Sequence, residues 1–267
     1  MDKLEKALEK ARLERQANAA SRIVESAPAV QPLPPVASVA PTAARQARTK
    51  RTAAEEAILE NSRVVSHRTR HRDADAFRML RTQVLQHLAA SGRRSMAITS
   101  PHYGDGKSTI SSNLALSIAQ DVKHTVLLVD LDLRKPDIYR YLGLKTDVGL
   151  SDHLIDDVPL EKCIVQSPFD RLAILPGGKP VDNSSELLGS PKMAALVKEL
   201  EKQPDRLVIY DMPPLLDQDD SMVFFPHVGG VLLVVRDGVT KTADVKRTFS
   251  ALSNTNYIGS VLNRLAV

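Results

Sequence analysis

Between Ser95 and Thr109 the chain reads Ser-Met-Ala-Ile-Thr-Ser-Pro-His-Tyr-Gly-Asp-Gly-Lys-Ser-Thr. These residue types, in this order, can hold the phosphates of a nucleotide. Gly104 and Gly106 lack Cβ atoms, so the backbone can bend and turn its N–H groups toward phosphate oxygens. Lys107 adds a mobile positive charge for the β- and γ-phosphates. The Ser108 hydroxyl can join the oxygen shell of Mg²⁺. A helix starting here would contribute unpaired N–H groups and the positive end of its dipole. The strict pattern G-x-x-x-x-G-K-[ST] is not met, because Pro101 stands where its first glycine is expected. The loop alone is therefore also compatible with a chance turn.

Three carboxylates extend the same chemistry. Asp130 and Asp132 follow the apolar run Thr-Val-Leu-Leu-Val, and Asp211 follows Leu-Val-Ile-Tyr and precedes Met-Pro-Pro. A carboxylate at the end of a buried strand is costly unless it meets a cation or hydrogen-bond donors. Mg²⁺ on the phosphates of ATP would be such a cation. One Asp at a strand end is weak evidence, since strands often finish there at a turn. Three of them with a Gly-Lys-Ser loop form a specific set.

The elements that must position these groups follow from periodicity. Met96 to Thr99 and Thr125 to Asp130 are short continuous apolar runs, as in strands buried on both faces of a parallel sheet. Further strands are expected at Leu172 to Leu175, Leu207 to Asp211, Gly230 to Val235 and Ile258 to Asn263. Helices are expected at Ser108 to Gln120, Pro191 to Lys202 and Ala243 to Leu252. Another, from Asp75 to Leu88, puts Phe77, Leu80, Val84, Leu85 and Leu88 on one stripe. This succession predicts an α/β layered sheet with right-handed crossovers. Ligands of such sheets bind outside the carboxyl ends of the strands, so the loop and the three acids should converge on one crevice.

Gly104-Asp-Gly-Lys-Ser-Thr, Asp130-Leu-Asp132-Leu-Arg134-Lys-Pro and Tyr-Asp211-Met-Pro-Pro resemble the Walker A, A′ and B motifs of bacterial tyrosine kinases of capsule and exopolysaccharide synthesis. Ser184-Ser-Glu-Leu-Leu-Gly-Ser and Val-Leu-Asn263-Arg264 are also similar, so the resemblance covers residues 73 to 265. The N-terminal Glu-Lys-Ala-Leu-Glu-Lys-Ala-Arg resembles the start of free-standing versions encoded with exosortase-linked polysaccharide systems. The resemblance implies a P-loop NTPase-type α/β fold, a mostly parallel sheet flanked by helices. It implies that Gly104, Asp105, Gly106, Lys107, Ser108 and Thr109 hold the ATP phosphates. It places Ser108, Asp130 and Asp211 around Mg²⁺, directly or through water. It makes Asp132 the group that helps deprotonate a tyrosine hydroxyl, Arg134 the group that orients the site, and Asn263 and Arg264 neighbours of the adenine. Lys107, Asp130, Asp132 and Arg134 are thus the expected catalytic set.

Members of this family form rings through a Glu-x-x-Arg-x-x-Arg helix, matched here by Asp75-x-x-Arg78-x-x-Arg81 with the shorter acid. They act with a membrane-embedded chain-length regulator whose cytoplasmic segment activates them. Their usual acceptor is a C-terminal tyrosine cluster. This chain ends Asn263-Arg-Leu-Ala-Val267, so transfer to a tail of its own is not expected. The competing class is a non-kinase ATPase switch of the partition or septum-site type. Those proteins carry an additional lysine early in the loop, where this chain has Pro101-His102-Tyr103. His102 and Tyr103 themselves read as solvent-exposed turn residues. A third class is a nucleotide-binding scaffold without catalysis, against which the complete set of Lys107 and three Asp residues argues.

Composition bounds the rest. The 267 residues, 43% hydrophobic and 25% charged, suit one soluble α/β domain with an extension. With no Trp and 4% aromatic residues, aliphatic packing must dominate the core. A single cysteine, Cys163, excludes an intrachain disulfide. No run approaches a membrane span, and the charged N-terminus lacks a signal-type apolar segment, so a cytoplasmic protein recruited to the inner face of the membrane is expected. Residues 1–18 read as a short helix that is a frayed tail or a docking element. Residues 19–72 read as a Pro/Ala-rich and then basic linker, disordered or attracted to anionic lipid, and residues 73–267 as the catalytic domain. The net charge of +4 with few aromatics gives no reason to expect nucleic acid.

Overall fold

The computed structural model describes residues 52–68 and 70–263. The helix expected in residues 1–18, the basic residues Arg45, Arg48, Lys50 and Arg51, and Arg264 lie outside the described residues. No helix among the described residues is long and apolar enough to cross a membrane.

A seven-stranded sheet forms the centre. In chain order its strands are β1 (Ser95–Thr99), β2 (Thr125–Asp130), β3 (Val165–Gln166), β4 (Leu172–Leu175), β5 (Arg206–Asp211), β6 (Val231–Arg236) and β7 (Tyr257–Asn263). Their spatial order is β3-β4-β2-β5-β1-β6-β7, and every neighbouring pair is parallel except β3 with β4. β1, β4 and β5 are buried along their whole length and β2 along all but its first residue. This is why those stretches read as unbroken apolar runs rather than alternating ones. The antiparallel edge pair Val165–Ile174 has too few residues to carry a sequence signal.

The helices in chain order are α1 (Ala53–Asn61), α2 (Arg72–Ser91), α3 (Lys107–Ala119), α4 (Ile138–Tyr141), α5 (Leu150–Asp156), α6 (Leu160–Cys163), α7 (Ser184–Leu188), α8 (Pro191–Leu200), α9 (Asp220–Phe224) and α10 (Thr242–Leu252). The expected long elements are present with ends shifted by a few residues. The short helices α4 to α7 and α9 were not expected, since four to seven residues show too little of a 3.6-residue period. α3 packs on β1, β2 and β5, and α2 packs on α3. Every α3 residue except Thr109 is buried, which explains its small residues, Ser111, Ser112, Ala115 and Ser117. Val84 and Leu88 of the expected α2 stripe are buried, and Phe77, Leu80 and Leu85 pack against the same core. Arg81, expected on a ring surface, donates to the Ser117 carbonyl at the end of α3 (2.7 Å). Arg78 pairs with Asp75 on its own helix.

Helix α1 lies inside the stretch expected to be linker, so folded structure reaches back at least to Thr52 rather than to Asp73. Its start is a capping box: the Thr52 hydroxyl accepts from Glu55 N–H (3.2 Å), and Glu55 accepts from Thr52 N–H (2.8 Å). The Thr-x-x-Glu spacing was legible, but the surrounding basic residues masked it. Leu59 and Val64 enter the core, and Arg68 is not a free lipid-facing cation, since it pairs with Glu56 at 3.3 Å. One residue of α3 fastens this segment. The buried Asn113 Oδ1 accepts from Val65 N–H (2.8 Å), Ser66 N–H (3.0 Å) and the Ser66 hydroxyl (3.0 Å), while its Nδ2 donates to the Arg63 carbonyl (2.8 Å). Asn113→Ala strands several of these groups away from water. It should lower unfolding free energy by about 3 kcal/mol in a urea titration. A loss under about 0.5 kcal/mol would mean that the segment is held by other contacts.

Candidate active site

The phosphate loop leaves β1 in the middle of the sheet and runs into α3, as its composition predicts. Gly106 has φ +98°, and a Cβ placed there would come within 2.0 Å of Asn263 Nδ2. Only glycine fits such a backbone against such a neighbour. Asn263 itself donates to the Asp105 carbonyl (2.9 Å), so it buttresses the loop from the end of β7. Asp105 does the same from within. Its two oxygens accept from His102 N–H (2.9 Å) and from the Thr240 hydroxyl (3.1 Å), tying the loop to the turn after β6. Arg236 reaches the Gly104 carbonyl at 3.5 Å.

β2 and β5 lie side by side in a register that pairs Asp130 with Asp211. Both are fully buried, and burial first, then like charge (Asp211 acting on Asp130, Asp132 on Asp211), raises the pKa of each above the ordinary carboxylate range. Lys107 offsets this. Its Nζ lies 2.9 Å from Asp132 Oδ2 and 3.7 Å from Asp211 Oδ2. Burial alone would lower the lysine pKa, but the Asp211 and Asp132 charges outweigh it and keep the ammonium protonated. Asp211 also accepts from the Ser108 and Ser111 hydroxyls, each at 2.7 Å. Asp130 is turned into its own loop, accepting from the backbone of Asp132 (3.2 Å), Asp137 (2.9 Å) and Ile138 (3.1 Å).

Lys107, Ser108, Asp132, Gly104 and Gly106 line one cavity of about 480 Å³, within the range of small-molecule sites. Asn61, Ser62 and Arg63, at the end of α1 and just beyond it, form part of its wall. Arg134 reaches the starts of α7 and α9. Its Nε donates to Ser184 Oγ (2.9 Å), and the guanidinium faces the buried Asp220 at 3.6 Å. The Ser-Ser-Glu-Leu-Leu stretch is thus joined to the turn after β2.

His102 and Tyr103, expected as plain turn residues, have specific partners. The His102 ring lies between Asp217 (2.8 Å) and Asp244 (3.4 Å). The Tyr103 hydroxyl is 3.5 Å from Asp132 Oδ1 and is hydrogen-bonded by Gln218. Burial, reinforced by Asp132, pushes its pKa up to about 12. Partners 29 to more than a hundred residues away in sequence left no local signal for either contact.

An AAA domain family model matches residues 93–222. The chain is 32% identical over 193 residues to the tyrosine-protein kinase YwqD of Bacillus subtilis, covering 72% of this chain and 81% of that one. It is 34% identical over 208 residues to the succinoglycan biosynthesis transport protein ExoP of Rhizobium meliloti, covering 76% of this chain. It spans about a quarter of the length of ExoP and of other long curated relatives it matches. Among solved structures, the chimerical protein CapA2B2 superposes with a TM-score of 0.71 at 30% identity, covering 78% of this chain and 91% of that one. The septum-site-determining protein MinD of Pyrococcus horikoshii superposes less well, at 0.54 and 25% identity over 64% of this chain and 70% of that one, so that class is the weaker match.

His102 offers a pH test. The Asp217 hydrogen bond, partly opposed by burial, raises its pKa above the ordinary 6.5. The His102⁺ pairing therefore stabilises the fold fully below about pH 6.5 and is lost as pH rises through the higher folded-state value. The melting temperature of the natural chain should exceed that of His102→Gln most at mildly acid pH, and the gap should close toward alkaline pH. A gap independent of pH would show that the charge contributes nothing. Sequence identity, coverage and superposition agree with the motifs: the chain belongs to the bacterial tyrosine-protein kinase family.

Proposed function

We propose that the chain transfers the γ-phosphoryl group of ATP to tyrosine hydroxyls and thereby regulates exopolysaccharide polymerisation and export. One observation carries this reading. A second acid, Asp132, lies 2.9 Å from the phosphate-loop lysine at the wall of the cavity, beside the buried Asp130–Asp211 pair. A nucleotide switch needs the lysine and a metal-organising acid; an acid facing the γ-phosphate position also suits proton removal from an incoming hydroxyl. The names of YwqD and ExoP, a tyrosine kinase and a polysaccharide biosynthesis protein, support the same reading.

In this reading Lys107 leaves Asp132 for the phosphates when ATP binds, and Asp132 is freed to take the acceptor proton. The glycine loop, Lys107 and Thr109 hold the phosphates. Mg²⁺ fits the residues present, because Ser108 and Asp211 offer only oxygen donors in a place where negative charge is buried. It would neutralise phosphate charge there, with Asp130 behind it fixing the turn. Among the described residues no group of three His, Cys, Asp or Glu side chains is disposed to hold a metal unaided. That suits an ion that completes its shell with phosphate and water. Asn263 would act on adenine binding through the loop it supports.

A membrane-embedded chain-length regulator is the expected partner, and its cytoplasmic segment the expected activator. A ring through Asp75 and Arg78 remains part of the proposal. Arg81 already gives one of its donors to the Ser117 carbonyl, which leaves the others for a ring contact.

The test is phosphotyrosine formation from labelled ATP on a glutamate–tyrosine copolymer, with and without the regulator's cytoplasmic segment. Asp132→Asn should lower transfer by about 10²–10⁴-fold while nucleotide affinity is retained. Lys107→Met should abolish transfer. Phosphate release that never yields phosphotyrosine would replace the kinase with the septum-site type of ATPase.

A further inference from the structure

The chain has five tyrosines. Tyr210 is wholly buried, with its hydroxyl lacking a hydrogen-bond partner. Tyr257 bonds Ser260 on the last strand (2.6 Å), and the Tyr139 hydroxyl accepts from Arg140 (2.8 Å). Tyr141 lines the cavity and bonds Thr109. Tyr103 alone among them has its hydroxyl against Asp132, 3.5 Å from Oδ1, while the other oxygen of the same carboxylate holds Lys107. It sits on the phosphate loop itself and lines the nucleotide cavity. The ring lies 4.5 Å below the Lys135 ammonium and 5.9 Å from that of Lys107. Gln218 donates to the phenolic oxygen, which leaves the phenolic proton free to point at Asp132.

From this placement we propose that Tyr103 is an intramolecular phosphoryl acceptor, modified by the ATP bound in its own cavity. The proposal rests on the kinase reading above. In the step, Asp132 takes the phenolic proton as the Tyr103 oxygen bonds to the γ-phosphorus. The bond from that phosphorus to the β–γ bridging oxygen breaks, and ADP departs with the bridging oxygen. No co-reactant beyond ATP is needed. The product carries about two negative charges beside Lys135 and beside Lys107, the cation that the next nucleotide would need. The modification is therefore self-limiting: one phosphate per chain, followed by weaker nucleotide binding.

The test uses the full chain with Mg-ATP, followed by tryptic digestion and tandem mass spectrometry. Cleavage after Arg94 and Lys107 isolates a peptide in which Tyr103 is the sole tyrosine. Phosphate is expected on Tyr103, with a first-order rate constant unchanged on tenfold dilution of the protein. Tyr103→Phe, which keeps the ring beneath Lys135, should lose that incorporation. Parallel reactions contain the glutamate–tyrosine copolymer. If the copolymer is phosphorylated while Tyr103 stays unmodified, the proposal fails and the kinase reading stands. A rate constant that falls in proportion to dilution would mean transfer between chains, which also overturns it. If neither acceptor is modified, the kinase reading fails and takes the proposal with it.

Discussion

Two buried carboxylates side by side, Asp130 and Asp211, are the constraint around which the catalytic end of the sheet is built. Neither can be ionised in isolation without a large desolvation cost. The surroundings meet that cost in different ways. Asp130 is satisfied by backbone N–H groups of its own turn, which fixes the path of the chain from β2 into α4. Asp211 is satisfied by two serine hydroxyls of α3 and by the nearby Lys107 ammonium. One strand end thus shapes a loop, while the other holds the start of the nucleotide-binding helix in place.

The phosphate loop is braced from outside as well. Asn263, Thr240, Arg236 and the His102 partners come from β7, the turn after β6, β6 itself, the loop after β5 and α10. A loop held from several elements keeps its N–H groups aimed before the ligand arrives, so little reorganisation opposes binding. The contacts of Asp105 and Asn263 explain how a loop with proline in place of its first glycine still keeps a defined path.

The segment before α2 changes the picture of the domain. Through Asn113 it is fastened to the same helix that carries Lys107 and Ser108, and residues Asn61 to Arg63 reach the cavity wall.

The sequence by itself determined the sheet, the order of its main strands and helices, and the Gly-Lys-Ser loop with its three acids. These are local signals: unbroken apolar runs, turn residues and strand-end carboxylates within a few residues of one another. Short helices, the antiparallel edge strand and α1 escaped, because two to nine residues carry little periodicity and a basic stretch hid a capping box. Only the tertiary structure decided which acid meets Lys107, that Arg134 turns toward Ser184 and Asp220, and that Asp105 and Asn263 brace the phosphate loop. It alone brought Tyr103 to Asp132 and His102 between Asp217 and Asp244. Those pairings join residues far apart in the chain, and their energies depend on burial and distance, which no local pattern of residue types encodes.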